Sequence, residues 1–224
     1  MKISTLNVAA SLLLFASLFT SCSETADVAP VQAEESTARL LSKNFSVQSV
    51  EENVDVSSKI YSAAGTSVSH ENKAFDFTKA TVISYHNSSY TVVAVPSSAD
   101  STKQVVYKAY KRNGRIEISG AFNLEVNVNK TGNGFVAYSD GSSAVRLDFA
   151  NFKIAKTTID AVSKTKASGN STSAASICDK NSGESFSSCY SRQVDQICDG
   201  WLGCASLAFP ATHTVIAASC SCIG

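Results

Sequence analysis

Of the seven cysteines in this chain, six (Cys178, Cys189, Cys198, Cys204, Cys220 and Cys222) are gathered at its C-terminal end, and none lies between residues 23 and 177. An even number of clustered cysteines is the signature of a disulfide-stapled module, provided the chain reaches an oxidising compartment. So short a segment buries too little apolar surface to fold without staples. Three disulfides are therefore expected within residues 177–224. Six cysteines allow fifteen pairings, and the spacing does not choose among them, although Cys220 and Cys222 are expected to take different partners.

The N-terminus supplies the compartment. Met1-Lys2-Ile3 precedes an apolar stretch from Val8 to Phe19, and Thr20-Ser21-Cys22 follows. A basic start, a short apolar segment and a small residue before the cut make a secretory signal over residues 1–21, and the stretch is short for a membrane span. Leu18-Phe19-Thr20-Ser21-Cys22 resembles a lipobox, which implies lipidation of the Cys22 thiol and cleavage in front of it. Phe19 is bulkier than the aliphatic residue usual at that place. The expected location is the bacterial cell envelope, with the lipid on Cys22 as the membrane anchor.

Residues 22–34 are small, polar and acidic around Pro30, a flexible tether. A short helix is expected over Glu34–Leu41, after which the pattern is weak to about residue 75. Within the β-rich domain assigned to residues 35–156, Phe122, Leu124, Val126 and Val128 alternate with Asn123, Glu125, Asn127 and Asn129. Val145, Leu147 and Phe149 alternate with Arg146 and Asp148 in the same manner, and Ile116 and Ile118 with Glu117 and Ser119. This period of two marks strands with one buried face. The runs Thr81–Tyr85, Tyr90–Val95 and Val105–Tyr110 complete the set. Turn signals separate them, at His86–Ser89, Asn113-Gly114, Thr131–Gly134 and Asp140-Gly141. The fold class that follows is α+β: an N-terminal antiparallel β-meander sheet with a short helix, plus a small disulfide-rich, mainly helical C-terminal module.

Residues 157–176 are small and polar, and are read as a flexible linker open to proteases. Beyond it, Phe186, Cys189, Tyr190, Val194, Ile197 and Cys198 form one helical stripe, stopped by Asp199-Gly200. Trp201–Phe209 is almost wholly apolar, Pro210 breaks it, and a second apolar stretch runs from Ala211 to Cys222. Two such segments side by side suit insertion into lipid, with Trp201, Leu202, Leu207, Phe209, Val215 and Ile216 as the candidate inserting side chains.

Catalytic chemistry finds no footing. Lys plus Arg equals Asp plus Glu at 19 each, so net charge gives no argument for nucleic acid. His70, His86 and His213 are scattered: His86 reads as a solvated turn residue and His213 as a helix-surface residue. The cysteine intervals do not match paired zinc ligands, and no phosphate loop, nucleophile elbow or carboxylate pair appears. No catalytic residue, cofactor or metal is assigned. Residues 101–156 carry nine basic and four acidic residues, and residues 176–224 two and four, a contrast that favours docking of the two parts.

The layout resembles halocin-like cysteine-rich bacteriocin precursors. The matching residues are Ile197-Cys198-Asp199-Gly200-Trp201-Leu202-Gly203-Cys204-Ala205, the apolar stretch holding Pro210, and Ala218-Ser219-Cys220. The resemblance covers only the C-terminal module and the order of the parts, and this chain departs from it in its cysteine number, its non-cationic tail and its lipoprotein-type signal. It implies a precursor whose C-terminal disulfide-rich, mostly helical peptide is cut free to kill related cells, behind a domain that can act as an immunity protein. The mechanism expected for this chain is that the β domain masks the apolar module or confers immunity, a protease cuts the linker, and the freed peptide inserts into target-cell membranes. The alternative is a cell-surface binding lipoprotein in which the cysteine-rich part is a structural cap. A third reading, an assembly component whose apolar tail packs on another envelope protein, predicts stable co-purification.

Overall fold

The computed structural model describes residues 39–86, 88–160 and 178–221. The signal, Cys22, the tether, most of the linker and Cys222 lie outside the described residues.

Helix α1 spans residues 39–45. Nine strands follow: β1 Val47–Val54, β2 Ile60–Tyr61, β3 Ala80–Tyr85, β4 Tyr90–Pro96, β5 Lys103–Arg112, β6 Arg115–Val128, β7 Gly134–Ser139, β8 Ala144–Ala150 and β9 Lys153–Asp160. They form one sheet in the order β1-β3-β4-β5-β6-β7-β8-β9, antiparallel throughout, and β2 adds a short parallel pairing to β6 at Ile60 and Ile116. From β3 onward the chain is the expected meander. A short helix, α2 (Val68–Glu71), interrupts the segment between β2 and β3.

Tight hairpins set the register. Asn113 and Gly114 both take positive φ, at 50° and 77°, so the β5–β6 turn twists with its strands. Between β6 and β7 the Asn129 side chain accepts hydrogen bonds from the backbone N–H groups of Thr131 and Asn133, and Asp140 does the same for Ser142 and Ser143 between β7 and β8. The β8–β9 turn places Asn151 and Phe152 at positive φ with no glycine. Phe152 closes against Gly132, where a Cβ would stand 2.3 Å from the Phe152 nitrogen, so this packing of two hairpin ends requires glycine there.

The sheet buries two faces. One turns Val92, Ala94, Val106, Phe122, Leu124, Val126, Val136, Tyr138, Val145, Leu147 and Phe149 inward, together with Leu41 of α1. Among the described residues, the other face is covered only over β3 to the first half of β6, where Val56, Ile60, Val68 and Phe77 pack on Val82, Val93, Val95, Val105, Tyr107, Ala109 and Ile116. Strand β4 is thus covered on both sides: Tyr90–Val95 is buried without a break and apolar but for Thr91, whose hydroxyl donates to the Ile83 carbonyl. The weakly patterned stretch before residue 75 supplies that second cover.

Two boundaries differ from the sequence reading. Strand β9 continues to Asp160, pairing Thr157 with Leu147 and Asp160 with Ala144, so residues 157–160 belong to the sheet and not to the linker. As an edge strand, β9 is mostly exposed and accordingly polar, and its composition resembles a tether. Helix α1 ends four residues later than expected, at residue 45.

The C-terminal helices are α3 (Phe186–Ile197), α4 (Trp201–Ser206) and α5 (Pro210–Ser221). Ser185 caps α3, its side chain accepting from the Ser188 N–H. The expected stripe is buried: Phe186, Cys189, Tyr190, Val194 and Ile197, joined by Gln193. Pro210 does break the apolar stretch, and it does so by starting α5, where its missing N–H costs no helical hydrogen bond. Helices α3 and α5, with Leu207 at the end of α4, share one hydrophobic core with the sheet's first face.

Candidate functional site

An apolar helix without a polar stripe needs cover on every side. Helix α5 has it. Residues 212–220 are buried without a break, between β4–β6 on one side and α3 on the other. The Cys189–Cys220 disulfide, both residues fully buried, ties α5 to α3, and Cys198–Cys204 closes the six-residue step from the end of α3 into α4. Cys178 is disulfide-bonded as well.

This cover corrects one expectation. His213 is not on a helix surface; it is fully buried on α5. Its Nε2 stands 2.6 Å from the Leu207 carbonyl, which can only accept, so that nitrogen carries the hydrogen. Nδ1 then accepts from the Tyr190 hydroxyl at 2.6 Å. The ring lies parallel to Tyr190 and meets the edge of Phe149 from β8. Burial pushes the imidazole pKa down to about 4, against a small opposing pull from the Leu207 carbonyl. Sequence periodicity missed this residue because α5 has no exposed face for comparison.

The candidate inserting side chains are also dispersed. Leu207, Val215 and Ile216 sit in the shared core with no exposure, Phe209 is half-buried, and Leu202 is exposed. Trp201 belongs to α4, and its side chain lies outside the described residues. In this arrangement the most apolar part of the module faces protein.

The junction between helices and sheet is almost entirely apolar. Phe186 stacks on Tyr138 with ring centroids 3.9 Å apart, and the Gln104 side chain donates to the Thr214 hydroxyl at 2.8 Å. Among the described residues no ion pair crosses the junction, so the charge contrast between the two parts is not what docks them. Within the module, Arg192 pairs with Glu184 at 2.9 Å and donates to the Asp179 carbonyl. Hydrogen bonds from Arg192 and from the Asn181 backbone hold the Glu184 carboxyl at about 2. The Gln193 amide, buried beneath, donates to the Asp179 carboxylate.

Lys108, unremarked in the sequence, shares the helix-covered face with its cross-strand neighbour Val92 and is only 2% exposed. Burial lowers its pKa to about 8.

The uncovered half of the opposite face presents a different surface. The Arg146 guanidinium lies 3.6 Å over the Phe135 ring while its Nε donates to Asp148. Arg146 also lines a cleft of about 450 Å³ with Lys103, Glu125 and Asp160. His86 is exposed in the β3–β4 turn, and among the described residues no group of three His, Cys, Asp or Glu side chains could hold a metal ion. Among the described residues no helix is long and apolar enough to cross a membrane.

No family model matches the chain, and no match is found among curated proteins or solved structures.

Proposed function

We propose that this chain is an envelope-anchored precursor of a disulfide-stapled antimicrobial peptide, held inactive by its own β-sheet. The observation that carries this reading is α5: an apolar helix, buried along residues 212–220, in a module whose described cross-links are internal and whose sheet partner contains no cysteine. Cutting the segment between Asp160 and Cys178 breaks no described disulfide, and separating the parts gives α5 an apolar surface that needs new cover. Lipid supplies such cover. At 1.5 Å per residue a 12-residue helix is about 18 Å long, against about 30 Å of hydrocarbon. The released module therefore wedges into one leaflet and does not span the bilayer.

Intact mass spectrometry of natively produced protein, from cells and from medium, tests the reading. A medium species beginning within residues 164–178, six mass units heavier after reduction, is expected, together with killing of neighbouring strains by the oxidised 176–224 peptide. An uncut linker and an inert peptide would overturn it.

A second reading, a surface-binding lipoprotein with a helical cap, has one observation in its favour. Arg146 is held flat on Phe135 by Asp148 beside an open cleft, leaving its outer N–H groups available to a polar ligand. It predicts one lipidated chain ending at Gly224, found only on cells.

A further inference from the structure

Two observations bear on how the module leaves the sheet. Nothing ionic crosses the junction among the described residues, so salt does not loosen it. The one ionisable group of α5 is His213, which sits at the meeting point of α3, α5, the turn before α5 and strand β8.

We propose that His213 is an acid-sensitive latch: taking a proton on its ring undocks α3–α5 from the sheet. The inference rests on the masked-peptide reading and names the condition that unmasks it. In the docked state both ring nitrogens are committed to the neutral form, Nε2–H to the Leu207 carbonyl and Nδ1 to the Tyr190 hydroxyl. A second proton turns Nδ1 into a donor aimed at another donor. Tyr190 must then swing its own hydrogen away into a packed core, and a cation is left buried.

Among the described residues nothing nearby compensates. From α3 the ring faces the Tyr190 phenol, whose ionisation burial suppresses, and from β8 it faces the Phe149 edge. The strands turn Tyr85, Tyr90, Tyr138 and the cation Lys108 toward the same covered side. The β8 charges, Arg146 and Asp148, bind each other on the opposite face, and the α3 cation Arg192 is engaged by Glu184. No charged group figures among the influences on the His213 ring.

The sign follows from this. The docked ring titrates at about 4, below its ordinary 6.5. Docking is at full strength above pH 6.5 and weakens as pH falls toward 4, because the undocked ring binds the proton first. The docking equilibrium shifts about 30-fold by pH 5 and about 300-fold at pH 3. Through that window Glu184, held at about 2, keeps its bond to Arg192, so the pH response reports the His213 ring and not that ion pair.

Hydrogen exchange on the intact chain at pH 7, 6 and 5, corrected for intrinsic rates, reads the opening of α5. Wild type is expected to open about 20-fold more often at pH 5 than at pH 7. His213→Gln, which can still donate and accept, is expected to be flat, and His86→Gln, at an exposed turn, to follow wild type. Equal pH responses in wild type and His213→Gln overturn the latch. Should His213→Gln fail to fold, NMR titration of the wild-type histidines decides: a His213 ring titrating near 6.5 in the folded chain overturns it too. Undocking at pH 5 by an inert peptide would sink the precursor reading and leave the latch standing. Killing by a peptide whose docking ignores pH would do the reverse.

Discussion

The sheet and the helical module solve the same problem by different means. Strands β3 to β9 are joined neighbour to neighbour by hydrogen bonds, close through hairpins of a few residues, and contain no cysteine. The module has three short helices, at least two internal disulfides and no completed core of its own: its inner side chains belong to the same cluster as those of the sheet. Its staples restrict the module, and the sheet supplies its apolar environment. A cross-linked segment can thus share no disulfide with its neighbour and yet depend on it for burial.

That division can be broken at either end. The largest effect is expected from removing the Cys189–Cys220 bridge, which closes a 31-residue separation and is fully buried. Replacing both cysteines by alanine should lower stability by about 4 kcal/mol in chemical denaturation of the intact chain. Exchange should rise in α3–α5 well before it rises in β5–β7. If α5 stays as protected as the sheet, the staple is redundant with packing.

Ile216→Ala removes a fully buried side chain on the shared side of the core and should cost about 3 kcal/mol. A loss confined to the module would show that the two regions do not share their stability; a single, cooperative loss would show that they do.

Lys108→Met sharpens the sheet's side of the comparison. Its ammonium is held at about 8, below the ordinary 10.5, so the folded state gives up stability below pH 8 and recovers it as pH rises toward 10.5. Methionine should raise the stability at pH 7 by about 2 kcal/mol and flatten the profile between pH 8 and 10. An unchanged profile would mean that the ammonium reaches water.

The smallest effect is the polar tie across the junction. A double-mutant cycle of Gln104→Ala with Thr214→Val should give a coupling of about 1 kcal/mol. A coupling near zero leaves the junction wholly apolar.

What the sequence made legible follows from which surfaces are half-wet. Phe122, Leu124 and Val126 alternate with solvated partners on β6, and the α3 stripe from Phe186 to Ile197 has exposed residues on its other side, so both periods were readable. Strand β1 was not, because Ser46 and Asn53 take positive φ and its pairing with β3 shifts register twice, which destroys a simple alternation. His213 was misread for the opposite reason: cover on all sides of α5 leaves no period, and an isolated histidine in an apolar run looks like a polar exception. The end of β9 was misread as linker because an exposed edge strand carries the composition of one. Arg146 was visible as an alternating polar residue, but its stacking on Phe135 depends on register across two strands.

The meander also sets an order of events. Sheet neighbours from β3 onward are neighbours in sequence, so the strands can close by local zippering. The cysteines emerge after them. Closing the sheet first would give oxidation a shaped surface, with α3 and α5 side by side and Cys189 opposite Cys220. Of fifteen conceivable pairings, a sheet closed first is expected to favour the observed Cys189–Cys220, and a C-terminal peptide made without it is expected to find its bridges by reshuffling.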